Sequence, residues 1–91
     1  MIVALDYDGT YTADPDLWDQ WIDLATKRGH TVICVTMRYP NEPVELRRNV
    51  EVIYTSRMAK AAWLEANSPL KPQIWIDDNP HWIYVDSLPK Q

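Results

Sequence analysis

An unbroken apolar run, Ile2-Val3-Ala4-Leu5, stops abruptly at Asp6-Tyr7-Asp8-Gly9-Thr10, and the same arrangement returns twice further on. Thr31 to Val35 ends at Thr36, and Gln73 to Ile76 ends at Asp77-Asp78-Asn79-Pro80. Short runs without polar alternation suit strands covered on both faces, as in a parallel sheet. Parallel neighbours need a crossover between them, and the sequence supplies one. Asp14-Pro15 reads as a helix cap followed by proline in the first turn. Leu17, Trp18, Trp21, Ile22, Leu24 and Ala25 then recur with helical period until Lys27-Arg28-Gly29.

The remaining segments extend this alternation. Tyr39-Pro40-Asn41-Glu42-Pro43 is a loop, and Pro43 suits the start of a short helix through Val44, Leu46 and Arg47. Val50 to Thr55 predicts a third strand, and Ser56 a cap for a helix carrying Met58, Ala61, Ala62, Trp63 and Leu64. Trp82 to Val85 predicts a fifth strand at a sheet edge. The expected fold is a single α/β domain over residues 1–91: a three-layer, Rossmann-like arrangement whose mostly parallel sheet of four to five strands has helices on both faces.

Composition narrows the function classes. A chain of 91 residues buries only about 60–65% of its unfolded surface, so one domain is expected. Five Trp against no Phe predict a core rich in tryptophan. A net charge of −4 argues against a broad electrostatic grip on nucleic acid. Lys27, Arg28, Arg38, Arg47, Arg48, Arg57 and Lys60 nonetheless have the makings of a local basic rim. The one cysteine, Cys34, lies inside an apolar run and reads as a buried small hydrophobe. Neither a signal peptide nor a membrane span is evident, so a cytoplasmic protein without membrane partners is expected.

Ligands of open parallel sheets bind beyond the carboxyl ends of the strands, where these polar clusters fall. An extended backbone aims Asp6 and Asp8 the same way and Tyr7 oppositely. Carboxylates brought close repel one another, and a hard divalent cation with oxygen preference relieves that repulsion. Magnesium is the expected cofactor. Plainer explanations exist for each residue: Asp-Gly is a common turn dipeptide, a helical lysine usually faces water, and Arg57 competes with Lys60.

The ordered set resembles the haloacid dehalogenase superfamily of aspartate-nucleophile phosphohydrolases. Asp6-Tyr7-Asp8-Gly9-Thr10 is similar to its first motif, Thr36 to its second, Lys60 to its third and Asp77-Asp78 to its fourth. The resemblance implies that Asp6 attacks phosphorus to give an aspartyl-phosphate and that Asp8 serves as acid and base. It implies Mg2+ held by Asp6, the backbone carbonyl of Asp8, and Asp78, with Thr36 and Lys60 gripping phosphate oxygens. Asp77 then pairs with Lys60, and Arg38 is a candidate contact to the substrate phosphate. Thr36-Met37-Arg38 is also similar to the superfamily's nucleic-acid-end phosphatases. A cap domain has no room after Asp8 or after Thr55, so the site is expected to be open and suited to a large phosphorylated substrate or to a lid from another subunit. The competing class is a catalytically idle module of the same fold that binds a partner or phosphate.

Overall fold

The computed structural model describes residues 1–87. Four strands, β1 (Ile2–Leu5), β2 (Thr31–Thr36), β3 (Glu51–Tyr54) and β4 (Ile74–Ile76), form one parallel sheet in the order β3-β2-β1-β4. The chain steps outward from β1 to β3, then returns to place β4 on the other side of β1. Strand order therefore reverses between β1 and β4, which opens the crevice where ligands of such sheets bind.

Alternating residues along each strand feed two cores. Leu5, Val32 and Cys34 face α1 (Pro15–Lys27), together with Ile22 and Ala25. Ala4, Ile33, Val35 and Ile53 face α2 (Lys60–Asn67) through Leu64. The α1 boundaries have local causes. The Asp14 carboxylate accepts the Leu17 N–H at 3.2 Å, with Pro15 in the first turn. At the other end Gly29 takes φ +86°, and the His30 and Gly29 N–H groups close onto Ala25 and Thr26 carbonyls, a Schellman stop.

Four expectations are corrected. The segment after Pro43 is an extended strap rather than a helix. Val44, Leu46 and Val50 pack on the α1-side core, while Glu45 and Arg47 between them are exposed. Three tyrosine hydroxyls accept its free N–H groups: Tyr54 from Val44 at 3.2 Å, Tyr7 from Glu45 at 3.2 Å and Tyr11 from Arg47 at 3.3 Å. Backbone satisfied from outside has no need of helical bonds. The expected fifth strand is instead a single helical turn, α3 (His81–Tyr84), which buries Ile83 and packs on α2. Pro80, with φ −60°, feeds that turn, and four residues of strand-like composition carry too little propensity to resist it.

The second helix begins at Lys60, not at Ser56. Ser56 and Arg57 both have positive φ, 53° and 71°, and their N–H groups bond the carbonyls of Arg38 and Met37. Asp86 supplies the missing cap, its carboxylate accepting the Ala59 N–H at 2.6 Å. Tryptophan does not dominate the core either. Trp18, Trp21, Trp63 and Trp75 are only partly buried around aliphatic centres, because a bulky indole fits the margin of thin layers better than their middle. Cys34 is buried, and desolvation pushes its thiol up to about 12, so it is an inert part of the core.

Candidate active site

Three neighbouring strands, β2, β1 and β4, each deliver a polar residue to one end of the sheet. The Asp6 N–H donates to the Ile76 carbonyl at 2.9 Å, prolonging the β1–β4 pairing by one step and setting Asp6 beside Asp77. Thr36 closes β2, and its carbonyl accepts the Thr55 N–H at 2.8 Å. Together with α2 and the loop after β4, these residues line a cavity of about 240 Å³: Asp6, Asp8, Thr36, Met37, Lys60, Asp77, Asp78, Asn79 and Trp82. A roomier groove beside Tyr7, Tyr11 and Arg47 lies elsewhere, but the tyrosine hydroxyls there are occupied in holding the strap.

Lys60 is the hub of the cavity. Only 3% exposed, its ammonium donates to Asp6 Oδ1 at 2.7 Å and to Asp77 Oδ2 at 2.6 Å. Arg57, its rival from the sequence, turns away: the left-handed backbone at Ser56-Arg57 sends its guanidinium to the Met37 carbonyl and to the Glu42 carboxylate. Burial works against charge on Lys60, yet the Asp6 charge and the bonds to Asp6 and Asp77 outweigh it and hold the ammonium above its ordinary value. Asp6 is pushed up to about 6, chiefly by burial, with Lys60 pulling the other way. The two upward shifts thus have different causes: burial raises Asp6, and the carboxylates it faces raise Lys60.

Thr10 ties the acidic groups together. Its hydroxyl lies 3.0 Å from Asp6 Oδ2 and 3.2 Å from Asp78 Oδ1, and it accepts the Asp78 N–H at 3.0 Å. One hydroxyl proton thus serves two carboxylates in turn. Gly9, at φ +82°, is required twice over: a Cβ there meets the Asp78 carboxyl carbon at 2.9 Å and its oxygens as well. Asp77 has both oxygens committed, one to Lys60 and the other to the Asn79 N–H at 3.0 Å. Asp6, Asp77 and Asp78 each offer a carboxylate oxygen within 4.8 Å of one another, an all-oxygen donor set.

Asp8 stands apart from that trio. Tyr7 faces the opposite side of the chain, against Tyr11, while Asp8 reaches the rim and takes two bonds from Arg38, Nε at 2.9 Å and Nη2 at 2.8 Å. Those bonds hold its carboxyl below the usual range. Arg38 is itself fixed, lying 5.0 Å over the Tyr7 ring and donating to the Glu42 and Pro43 carbonyls. Its own N–H meets the Thr36 hydroxyl at 3.2 Å.

The structure gathers Asp6, Asp8, Thr36, Lys60, Asp77 and Asp78 in one cavity, with Arg38 bonded to its rim. Trp82, which with His81 was a candidate to flank the site, lines the cavity, whereas sequence reasoning missed the tie through Thr10 and the lining by Met37 and Asn79. Thr10 was within the first acidic cluster, but only the approach of β4 shows what its hydroxyl joins. Of the residues named for a basic rim, Arg47 and Arg48 pair with Asp16, Asp19 and Asp23, Arg57 with Glu42, Arg38 with Asp8 and Lys60 with Asp6 and Asp77. No described helix is long and apolar enough to cross a membrane. No family model, curated protein or solved structure matches this chain.

Proposed function

We propose that the chain is a magnesium-dependent phosphomonoesterase acting through an aspartyl-phosphate on Asp6. The observation that carries this reading is the charge balance around a buried nucleophile. Four carboxylates line the cavity against one lysine inside it and one arginine at its rim, an excess of two negative charges. One divalent cation neutralises that excess, and three carboxylates converging within 4.8 Å suit a hard, oxygen-preferring ion. Asp6 and Asp78, with the backbone carbonyl of Asp8, are the groups the resemblance assigns to hold Mg2+, and Asp77 is bonded to Lys60 and to the Asn79 N–H. When bound, the ion supplies neutralising charge that lets a phosphate dianion approach an anionic nucleophile.

In this reading a carboxylate oxygen of Asp6 forms a bond to phosphorus while the bond to the ester oxygen breaks. The departing alcohol takes a proton from Asp8. Water then attacks phosphorus, passes its proton to Asp8, and releases phosphate and the free Asp6 carboxylate. Lys60 and Thr36 steady the equatorial oxygens. Arg38 resting on Asp8 keeps that carboxyl ionised, so the donor role requires the guanidinium to move to the arriving phosphate, a stronger bidentate acceptor. The same ion pair favours a second reading, an idle phosphate-binding module in which Asp8 never carries a proton.

Hydrolysis of an aryl phosphate by wild type, Asp6→Asn and Asp8→Asn, with and without Mg2+, separates the two. The enzyme reading expects turnover that needs Mg2+ and falls about 10³-fold or more in Asp6→Asn. Equal inactivity of wild type and Asp6→Asn, with phosphate binding retained in both, supports the idle module.

A further inference from the structure

The cavity changes character between floor and wall. Asp6, Thr36, Lys60 and Asp77 form a polar, charged floor, whereas Met37 and Trp82 contribute apolar surface to the same cavity. Trp82 is half-buried in the first turn of α3, its N–H bonded to the Asn79 carbonyl at 3.2 Å. His81 packs against the indole with centroids 4.7 Å apart at 73°, which restrains the tilt of the ring. Met37 follows Thr36 directly, and its carbonyl is pinned by the Arg57 backbone and guanidinium. The Trp82 ring and the Met37 backbone are thereby held at the cavity wall.

The connections that follow β1 and β3 are short, and only a single 3-10 turn, Tyr11–Ala13, separates the first acidic cluster from α1. At about 240 Å³ the cavity is small for a whole organic phosphate, so the leaving group must extend past the wall. An indole beside a flexible thioether is a surface for a planar ring. Resting on the phosphatase reading above, we infer that the leaving group is a nucleoside, its base stacked on Trp82 with Met37 alongside. Sequence-independent stacking of this kind strengthens nucleotide binding by about tenfold or more.

The test compares kcat/KM for adenosine 5′-monophosphate and ribose 5-phosphate in wild type, Trp82→Ala and Trp82→Phe, with folding checked by thermal melts. The expected result is about a tenfold preference for the nucleotide in wild type, a ratio near one in Trp82→Ala and most of the preference restored in Trp82→Phe. A wild-type ratio near one, or a preference that survives in Trp82→Ala, overturns the stacked base while leaving the phosphatase reading intact. Failure to hydrolyse either ester or the 5′-phosphorylated oligonucleotide, with aryl phosphate still turned over, overturns the nucleoside alone; failure on the aryl phosphate as well overturns both. A short 5′-phosphorylated oligonucleotide in the same assay separates the two sources of this chemistry: faster turnover assigns a strand end, slower turnover a free nucleotide.

Discussion

Two buried aspartates, Asp6 and Asp19, show how differently one side chain can be used in one small fold. Asp19, 5% exposed on α1, accepts the Tyr11 hydroxyl at 2.6 Å and Arg47 Nε at 2.8 Å, with Arg48 at 3.7 Å. It is more than neutralised. Those contacts fasten the strap to α1, and Asp16 and Asp23 beside it absorb the surplus charge of the arginines. Asp6, 8% exposed, has a fraction of one lysine and two further carboxylates for neighbours. A carboxylate with matched partners holds structure together, whereas one left short of positive charge is suited to receive a cation and an electrophile.

The contrast predicts opposite signs on substitution. Asp19→Ala strips a buried hydroxyl and two guanidinium groups of their acceptor, so unfolding by urea should show a loss of about 3 kcal/mol. Activity per folded molecule should persist, since Asp19 does not touch the cavity. A smaller loss than that of an ordinary surface variant would mean the strap is held by Val44 and Leu46 alone.

Asp6→Asn in metal-free protein should do the reverse. The folded protein holds the Asp6 proton up to about pH 6, against an ordinary value of 3.8, so burial of Asp6 is harmless at acid pH and costs stability as pH rises through 6. Measured as wild type minus Asp6→Asn, to cancel the other carboxylates, stability should fall by about 2 kcal/mol from pH 4 to pH 7.5 in EDTA. Added Mg2+ should restore wild type and leave Asp6→Asn unmoved. A flat difference across that range would place Asp6 among the matched carboxylates, with Asp19.

The matched region was the harder one to read from sequence. Apolar runs gave β1, β2 and β4 directly, and the Asp14-Pro15 cap with its helical period gave α1, because these signals are local. The strap was not local: Val44-Glu45-Leu46-Arg47 serves either period over so few residues, and three tyrosines from distant positions decide it. Arg57 likewise left the cavity through two positive φ angles that nothing at Ser56 announces. The candidate site was more legible, since Asp6, Asp8, Thr36, Asp77 and Asp78 sit where strands stop. Lys60 needed only its place at the head of α2. Trp82 looked like strand and proved to be the first turn of a helix at the cavity.

The central claim is that Asp6 becomes phosphorylated. Asp8→Asn, which lacks the base for the second step, should accumulate aspartyl-phosphate when given an aryl phosphate and Mg2+, because that leaving group departs without an acid. Borohydride quenching reduces such an acyl phosphate to homoserine, which peptide mass spectrometry locates. The account predicts homoserine at position 6 and nowhere else; steady aryl phosphate turnover by wild type, with no modification at position 6 in the quenched Asp8→Asn protein, would contradict it.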